Sequence, residues 1–242
     1  MQQDFKFESL SNTLSICISK DHKFGTDAFL LSDFANVKCK DTVCDLGTGC
    51  GIIPLLWFRG MLTPPKKIFA VDIQEKAISQ LQISIEKNNL QEQIIPINAD
   101  LKEIKTKITP YSCDIITCNP PYKLLGHGII SELTSEKIAR HELLCTIDDV
   151  CVAAKTLLKF GGKLCICQRP ERLLDVLESM RKHNIEPKRV RFVSHKQDTA
   201  PWLFLVEGKK DAKSFLKIEP PLILEEADGS HSQEILRIYN RL

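Results

Sequence analysis

The chain has 242 residues, 43% of them hydrophobic, which suits one large domain with a core and excludes a disordered or low-complexity polymer. Its 33 basic and 31 acidic residues leave a formal net charge of +2, so a nucleic-acid partner is permitted but not required. The longest apolar run, Gly51 to Phe58, is far short of a membrane span, and the opening Met1-Gln2-Gln3-Asp4-Phe5-Lys6 lacks a cationic stretch followed by an apolar one; both predict a cytoplasmic protein with no membrane contact.

Residues 1–36 read as a short hairpin plus a helix, an extension packed on the main unit at 37–242. Thr42-Val43-Cys44-Asp45-Leu46 is a short apolar strand with an acid near its end, followed by Gly47-Thr48-Gly49-Cys50-Gly51 and an apolar helical stretch from Ile52 to Phe58. Glycines at alternate positions after a strand let the backbone turn tightly and let a ligand lie against the main chain. The dinucleotide fingerprint wants its third glycine one place later, where this chain has Ile52, so that cofactor class is not indicated. A second strand, 67–72, ends on Asp72, 21 residues after Gly51, where a carboxylate can accept two hydrogen bonds from a ribose diol. Asp72 also opens a helix, with Glu75 in its first turn and Ala77, Ile78, Leu81 and Ile85 at helical spacing.

A third strand, 93–98, runs into Asn98-Ala99-Asp100-Leu101, and a fourth, 113–118, runs into Asn119-Pro120-Pro121-Tyr122. Capping a helix is the commoner role of an aspartate in such turns, but three acids at three successive strand ends favour a shared ligand. A helix over 146–159 is expected to stop at Gly161-Gly162 before a fifth strand at 163–168. Pro170 then starts a helix with Leu173, Leu174, Val176, Leu177 and Met180 at helical spacing. Arg189 to Ser194 and Trp202 to Val206 read as a closing antiparallel pair. The alternation of strand and helix from residue 42 to about residue 183 predicts an α/β fold with a doubly wound, mostly parallel sheet.

Ten cysteines contain no Cys-x-x-Cys pair, and Cys44, Cys113, Cys118, Cys165 and Cys167 fall in predicted strands, so they read as small buried hydrophobes in a reducing compartment. The six histidines show no ligand spacing, and no metal is expected. Charge is uneven: residues 1–150 hold 16 basic and 19 acidic side chains, residues 151–242 hold 17 and 12. Arg169, Arg172, Arg181, Lys182, Lys188, Arg189, Arg191 and Lys196 form either a stripe for phosphates or an ordinary solvated face.

The tetrapeptide at 119–122 is chemically the most specific segment. Two prolines remove two backbone donors and fix two φ angles, while Asn119 before them is pushed out of the helical region. The outcome is a stiff shelf of acceptors beside the flat ring of Tyr122, suited to a planar amide or exocyclic amine held edge-on. A proline-stiffened turn over a buried tyrosine is the structural alternative.

On these residues the chain resembles class I S-adenosylmethionine-dependent methyltransferases of the Asn-Pro-Pro-Tyr type, in which Asp-x-Gly-x-Gly-x-Gly, here Asp45 to Gly51, serves the cofactor. Within them it is most similar to bacterial tRNA1(Val) adenine-37 N6-methyltransferases. Phe24-Gly25-Thr26-Asp27-Ala28-Phe29-Leu30-Leu31, Ala139-Arg140-His141-Glu142, Gly161-Gly162-Lys163-Leu164, Arg169-Pro170-Glu171-Arg172-Leu173 and Pro220-Pro221-Leu222 match further blocks of that family. One departure is Lys123, where the family often has an aromatic residue.

The resemblance implies a seven-stranded Rossmann-like sheet, and S-adenosyl-L-methionine held by Thr26, Asp27, Asp45, Gly47, Gly49, Gly51, Asp72, Ile73, Asp100, Leu101 and Asn119. Asp100 would accept from the adenine amino group of that cofactor. Asn119, Pro120 and Tyr122 would be catalytic: the Asn119 oxygen and the Pro120 carbonyl hold the two N–H groups of the target amine, and Tyr122 stacks on the unstacked base. The substrate would be tRNA, at the adenine 3′ to the anticodon, met by Lys123, Arg140, Arg169, Arg189 and Arg191, with the enzyme acting as a monomer. Two alternatives stay open: a release-factor glutamine N5-methyltransferase, whose relatives carry a longer helical segment than the roughly 40 residues before the first strand here, and a non-catalytic cofactor-binding RNA-binding protein.

Overall fold

The computed structural model describes residues 5–19, 24–59, 64–120 and 145–239. β1 (Lys6–Ser9) and β2 (Ser15–Ile18) form an antiparallel hairpin in which Lys6 faces Ile18 and Ser9 faces Ser15. α1 (Thr26–Ala35) follows, then β3 (Thr42–Leu46), α2 (Ile52–Leu56), β4 (Lys67–Asp72), α3 (Glu75–Asn88) and β5 (Ile94–Asn98). After a 3-10 turn at Leu101–Thr106 come β6 (Cys113–Cys118), α4 (Ile147–Leu157), β7 (Leu158–Gln168), α5 (Leu173–Lys182), β8 (Ile185–Ser194) and β9 (Leu203–Lys210). Two short strands, β10 (Lys217–Ile218) and β11 (Leu222–Ile223), and α6 (Gln233–Ile238) close the described chain.

One sheet organises all of this. Its seven longer strands run β8-β9-β7-β6-β3-β4-β5, parallel except for β9, which is antiparallel to both neighbours. The two-residue strands β10 and β11 both pair with β8, so among the described residues the sheet counts nine strands around the expected seven. Pro96 lies in β5, where its missing donor is tolerated because β5 ends the strand order. One apolar layer gathers α1, α2, α3 and β2 on one face of the sheet, and a second gathers α4 and α5 on the other.

The hairpin is tied down by an arrangement that apolar spacing does not reveal. Ala77, Leu81 and Ile85 bury the sheet-facing side of α3, while Gln80, Ser84 and Asn88, four residues apart, line up along β2. Ser84 Oγ accepts from Cys17 N at 2.8 Å, Gln80 Nε2 donates to Cys17 O at 2.7 Å, and Asn88 both accepts from Ser15 N at 2.9 Å and donates to Ser15 O at 2.6 Å. Side chains of a helix therefore act as the missing neighbour of an edge strand.

Two expectations are corrected. Gly161-Gly162 does not separate α4 from β7; the helix stops at Leu157 and the strand begins at Leu158, leaving both glycines inside it. The register against β6 slips between Cys113 and Ile115, and Gly161 adopts φ +72°, so the glycines absorb an irregularity in the strand. The closing pair is also longer than 189–194 and 202–206, because β8 begins at Ile185 and β9 continues to Lys210. At that far end Lys210 Nζ donates to the carbonyls of Lys155 and Leu158, capping the carboxyl end of α4.

Candidate active site

The carboxyl ends of β3, β4, β5, β6 and β7 lie along one edge of the sheet. Leu46 is in register with Val71 on one side and Cys118 on the other, so the segment after Leu46 is flanked by Asp72 and Asn119. Gly47 N and Thr48 N both donate to Val71 O at 2.9 Å, which bends the loop across the end of β4. A Cβ at Gly47 or Gly49 would meet nothing within 4 Å, whereas one at Gly51 would lie 2.3 Å from Leu81 Cδ1. The first two glycines thus face open space, and Gly51 is required by packing of the loop on α3.

Beneath the loop, Asp45 is buried. Its Oδ1 accepts from Thr117 Oγ1 at 2.6 Å, while its Oδ2 and the buried Thr48 Oγ1 have no hydrogen-bond partner among the described residues. Burial pushes the carboxyl from 3.8 up to about 7; the Thr117 and Thr48 hydroxyls oppose that shift, and the Asp72 charge adds to it. Thr48 acts there as a nearby dipole, short of a completed hydrogen bond. A buried acid and hydroxyl left unpaired under an open backbone cradle are what a polar, cationic ligand would satisfy.

Asp72 is buried and already structural: Oδ2 accepts from Gly49 N at 2.8 Å and Oδ1 from Gln74 N at 2.9 Å. It pins the glycine loop and starts α3, and each oxygen retains a second lone pair for a diol. The side chain of Ile73, next along, is exposed. Asp100 caps the 3-10 turn by accepting from Lys102 N at 2.9 Å, the alternative role anticipated for these acids, and Leu101 packs partly buried below it.

Asn119 is the meeting point of three elements. Its Nδ2 donates to Asp27 Oδ2 on α1 at 2.9 Å, and its Oδ1 accepts from Cys167 Sγ on β7 at 3.1 Å. Pro120 is buried, Thr26 Oγ1 accepts from Tyr239 at 2.9 Å, and Tyr122, Lys123, Arg140 and the 139–142 block lie outside the described residues. Thr117 and Cys167 join the site through these bonds, although Cys167 reads from the sequence as a small buried hydrophobe; their place next to strand-end polar groups is the available signal.

The proposed phosphate stripe is redrawn. Arg189 pairs with Glu207 at 3.0 Å and Glu219 at 3.5 Å, also donates to Phe34 O, and lies over the Phe34 ring. Arg191 makes two 2.7 Å bonds to Glu234, which hold that carboxyl below its ordinary value. Both arginines are thus already engaged by carboxylates of the protein, which weighs against the contact with tRNA expected of them. Arg181 and Lys182 likewise meet Glu186 and Asp148. Arg169 stays at the site edge, where it donates to Trp202 O at 2.9 Å and lies over the Trp202 ring, whose neighbour His195 stacks on it at 5.4 Å.

The methyltransferase small domain model matches residues 18–185, more than half of the chain. The chain belongs to that family. This methyltransferase is 29% identical over 164 residues to a tRNA1(Val) (adenine(37)-N6)-methyltransferase of Histophilus somni (strain 2336), spanning 67% of this chain and 66% of that one. It is 23% identical over 226 residues to the protein of the same description from Dyadobacter fermentans, spanning 93% and 90%. Among solved structures, a predicted O-methyltransferase from Agrobacterium tumefaciens superposes with a TM-score of 0.71 at 16% identity, covering 89% of this chain and 96% of that chain, a likeness of fold. Among the described residues no helix is long and apolar enough to cross a membrane, and no group of three His, Cys, Asp or Glu is arranged for a metal ion.

Proposed function

We propose that this methyltransferase transfers a methyl group from S-adenosyl-L-methionine to the N6 amine of an adenine in tRNA, the one 3′ to the anticodon. The observation behind this reading is the register of Leu46 with Cys118, which brings the open Gly47–Gly49 cradle and Asn119 to the ends of neighbouring strands. When bound, the cofactor supplies an electrophilic methyl on a sulfonium. The unpaired Asp45 Oδ2 and Thr48 Oγ1 fit its polar end and Asp72 its diol, with Asp100 and Ile73 flanking its adenine.

The chain's own chemistry concerns the incoming amine. Conjugation makes N6 a poor nucleophile, so its lone pair must be aimed and its N–H groups held. Asn119 Oδ1 and the Pro120 carbonyl accept those two N–H groups and bind more tightly as nitrogen becomes positive, which lowers the barrier to transfer. The N–H proton then passes to water, and no dedicated base is required. Tyr122 stacks on the base, and Arg169 beside Trp202 meets the surrounding RNA, as do Lys123 and Arg140 by the family resemblance. The reading includes a monomeric cytoplasmic enzyme in which residues 1–36 extend a catalytic unit at 37–242.

Labelled cofactor offered in parallel to total tRNA, release-factor protein and DNA tests the proposal, with N6-methyladenosine in digested tRNA as the expected product. Label in the release factor, or none anywhere, would refute it. Asn119→Ala should reduce turnover about ten- to hundredfold, far more than it reduces cofactor affinity.

A further inference from the structure

We propose that Asp27 is a positioning residue for Asn119: it sets which end of the amide faces the substrate and polarises that end. The proposal rests on the adenine-methylation reading above. An asparagine amide has two ends of nearly equal size, one donating and one accepting, and only the accepting end can hold an amine N–H. Asn119 Nδ2 lies 2.9 Å from Asp27 Oδ2. An ionised carboxylate has no proton to give, so the flipped amide would set oxygen against oxygen. The Cys167 thiol supports the same orientation from β7 by donating to Oδ1 at 3.1 Å, a weak bond that the target amine can replace.

The charge behind the amide adds a second effect. A carboxylate drawing on the N–H end moves electron density toward Oδ1, and linked hydrogen bonds strengthen one another in a low-dielectric setting. The oxygen then responds more strongly to the positive charge that grows on N6. Asp27 thus acts through Asn119 and need not touch the substrate.

The sequence around Asp27 is shaped for this contact. Gly25 leaves room for the carboxylate, since a Cβ there would lie 2.6 Å from Asp27 Oδ1. Thr26 is anchored by the Tyr239 hydroxyl at 2.9 Å, and an acid is favourable in the first turn of α1. A purely structural tie between α1 and β6 would instead change stability and spare the rate per folded molecule.

The test measures kcat, tRNA KM, cofactor affinity and melting temperature for Asp27→Ala, Asp27→Asn, Asn119→Ala and the Asp27→Ala/Asn119→Ala pair. Asp27→Ala should lower kcat about tenfold or more, a larger loss than any in cofactor affinity, cofactor binding being a role the family resemblance also gives Asp27. Asp27→Asn keeps an acceptor but loses the charge, so it should recover part of the rate. In the Asn119→Ala background the Asp27→Ala change should alter kcat less than about twofold, because no amide remains to be oriented. Equal losses in both backgrounds, or a loss confined to cofactor affinity, would overturn the proposal; wild-type turnover in Asn119→Ala would instead overturn the reading beneath it. Where the Asn119→Ala rate falls to background, the Asn119 side-chain amide resonance in isotope-labelled protein decides. It must shift and lose protection from solvent exchange in Asp27→Ala, and an unmoved resonance overturns the proposal.

Discussion

Asp45→Asn should stabilise the cofactor-free protein at alkaline pH and leave it nearly unchanged in acid. The Asp45 carboxyl is pushed from 3.8 up to about 7, so between those values the native state keeps a proton that the unfolded chain releases. Native stability therefore falls as pH rises through that window, by about 1.4 kcal/mol per pH unit, and levels off above it. The full window of about 3 units corresponds to about 4 kcal/mol, and its portion above pH 5 to about 3 kcal/mol. Asparagine keeps the acceptor for Thr117 and replaces the unpaired Oδ2 with a donor beside the unpaired Thr48 Oγ1, without a charge to desolvate. Urea unfolding of both proteins without cofactor at pH 5 and pH 8 measures the effect. The advantage of the variant should grow by about 3 kcal/mol between the two pH values. Parallel pH profiles would mean that Asp45 does not titrate in this range and would refute the argument.

Three further outcomes are expected. Ser84→Ala leaves the buried Cys17 N–H without its acceptor and should cost about 1–3 kcal/mol in urea unfolding, with faster hydrogen exchange at Cys17. Gly51→Ala, which drives a Cβ into Leu81, should lose more stability than Gly47→Ala, whose Cβ enters open space; Gly47→Ala should lose cofactor affinity in calorimetry while staying folded, and the reverse order would contradict the assigned roles. Arg191→Ala should lower stability by about 1 kcal/mol without altering the salt dependence of tRNA binding; because Glu234 is held below its ordinary value, the lost contribution is present at neutral pH and fades as pH falls through the carboxylate range.

The local parts of the site were legible before the fold. The strand bounds 42–46, 67–72 and 113–118 agree residue for residue with β3, β4 and β6, because each is a compact apolar run closed by glycine, acid or proline. What escaped the reading depends on distance along the chain. Asn119 and Asp27 are 92 residues apart, Arg191 and Glu234 are 43 apart, and no local pattern announces either pair. The stripe of Gln80, Ser84 and Asn88 was missed for another reason: attention to apolar periodicity passes over polar residues with the same period. Gly161 was misread because a glycine pair after a helix ordinarily ends it, and only the slip against β6 reveals an irregular strand.

The cysteines offer a practical handle. Cys39 is exposed and Cys145 half-buried, while Cys17, Cys44, Cys50, Cys113, Cys118, Cys151, Cys165 and Cys167 are shut inside the folded molecule. Cys39 precedes β3, at the opposite edge of the sheet from the glycine loop and Asn119. A dye placed there under native conditions reports tumbling, and any association with the proposed tRNA substrate, from a point remote from the candidate site. The enclosed thiols become reactive only as the layers around the sheet open, so the native chain carries an internal clock for its own unfolding, readable by timed alkylation without an added probe.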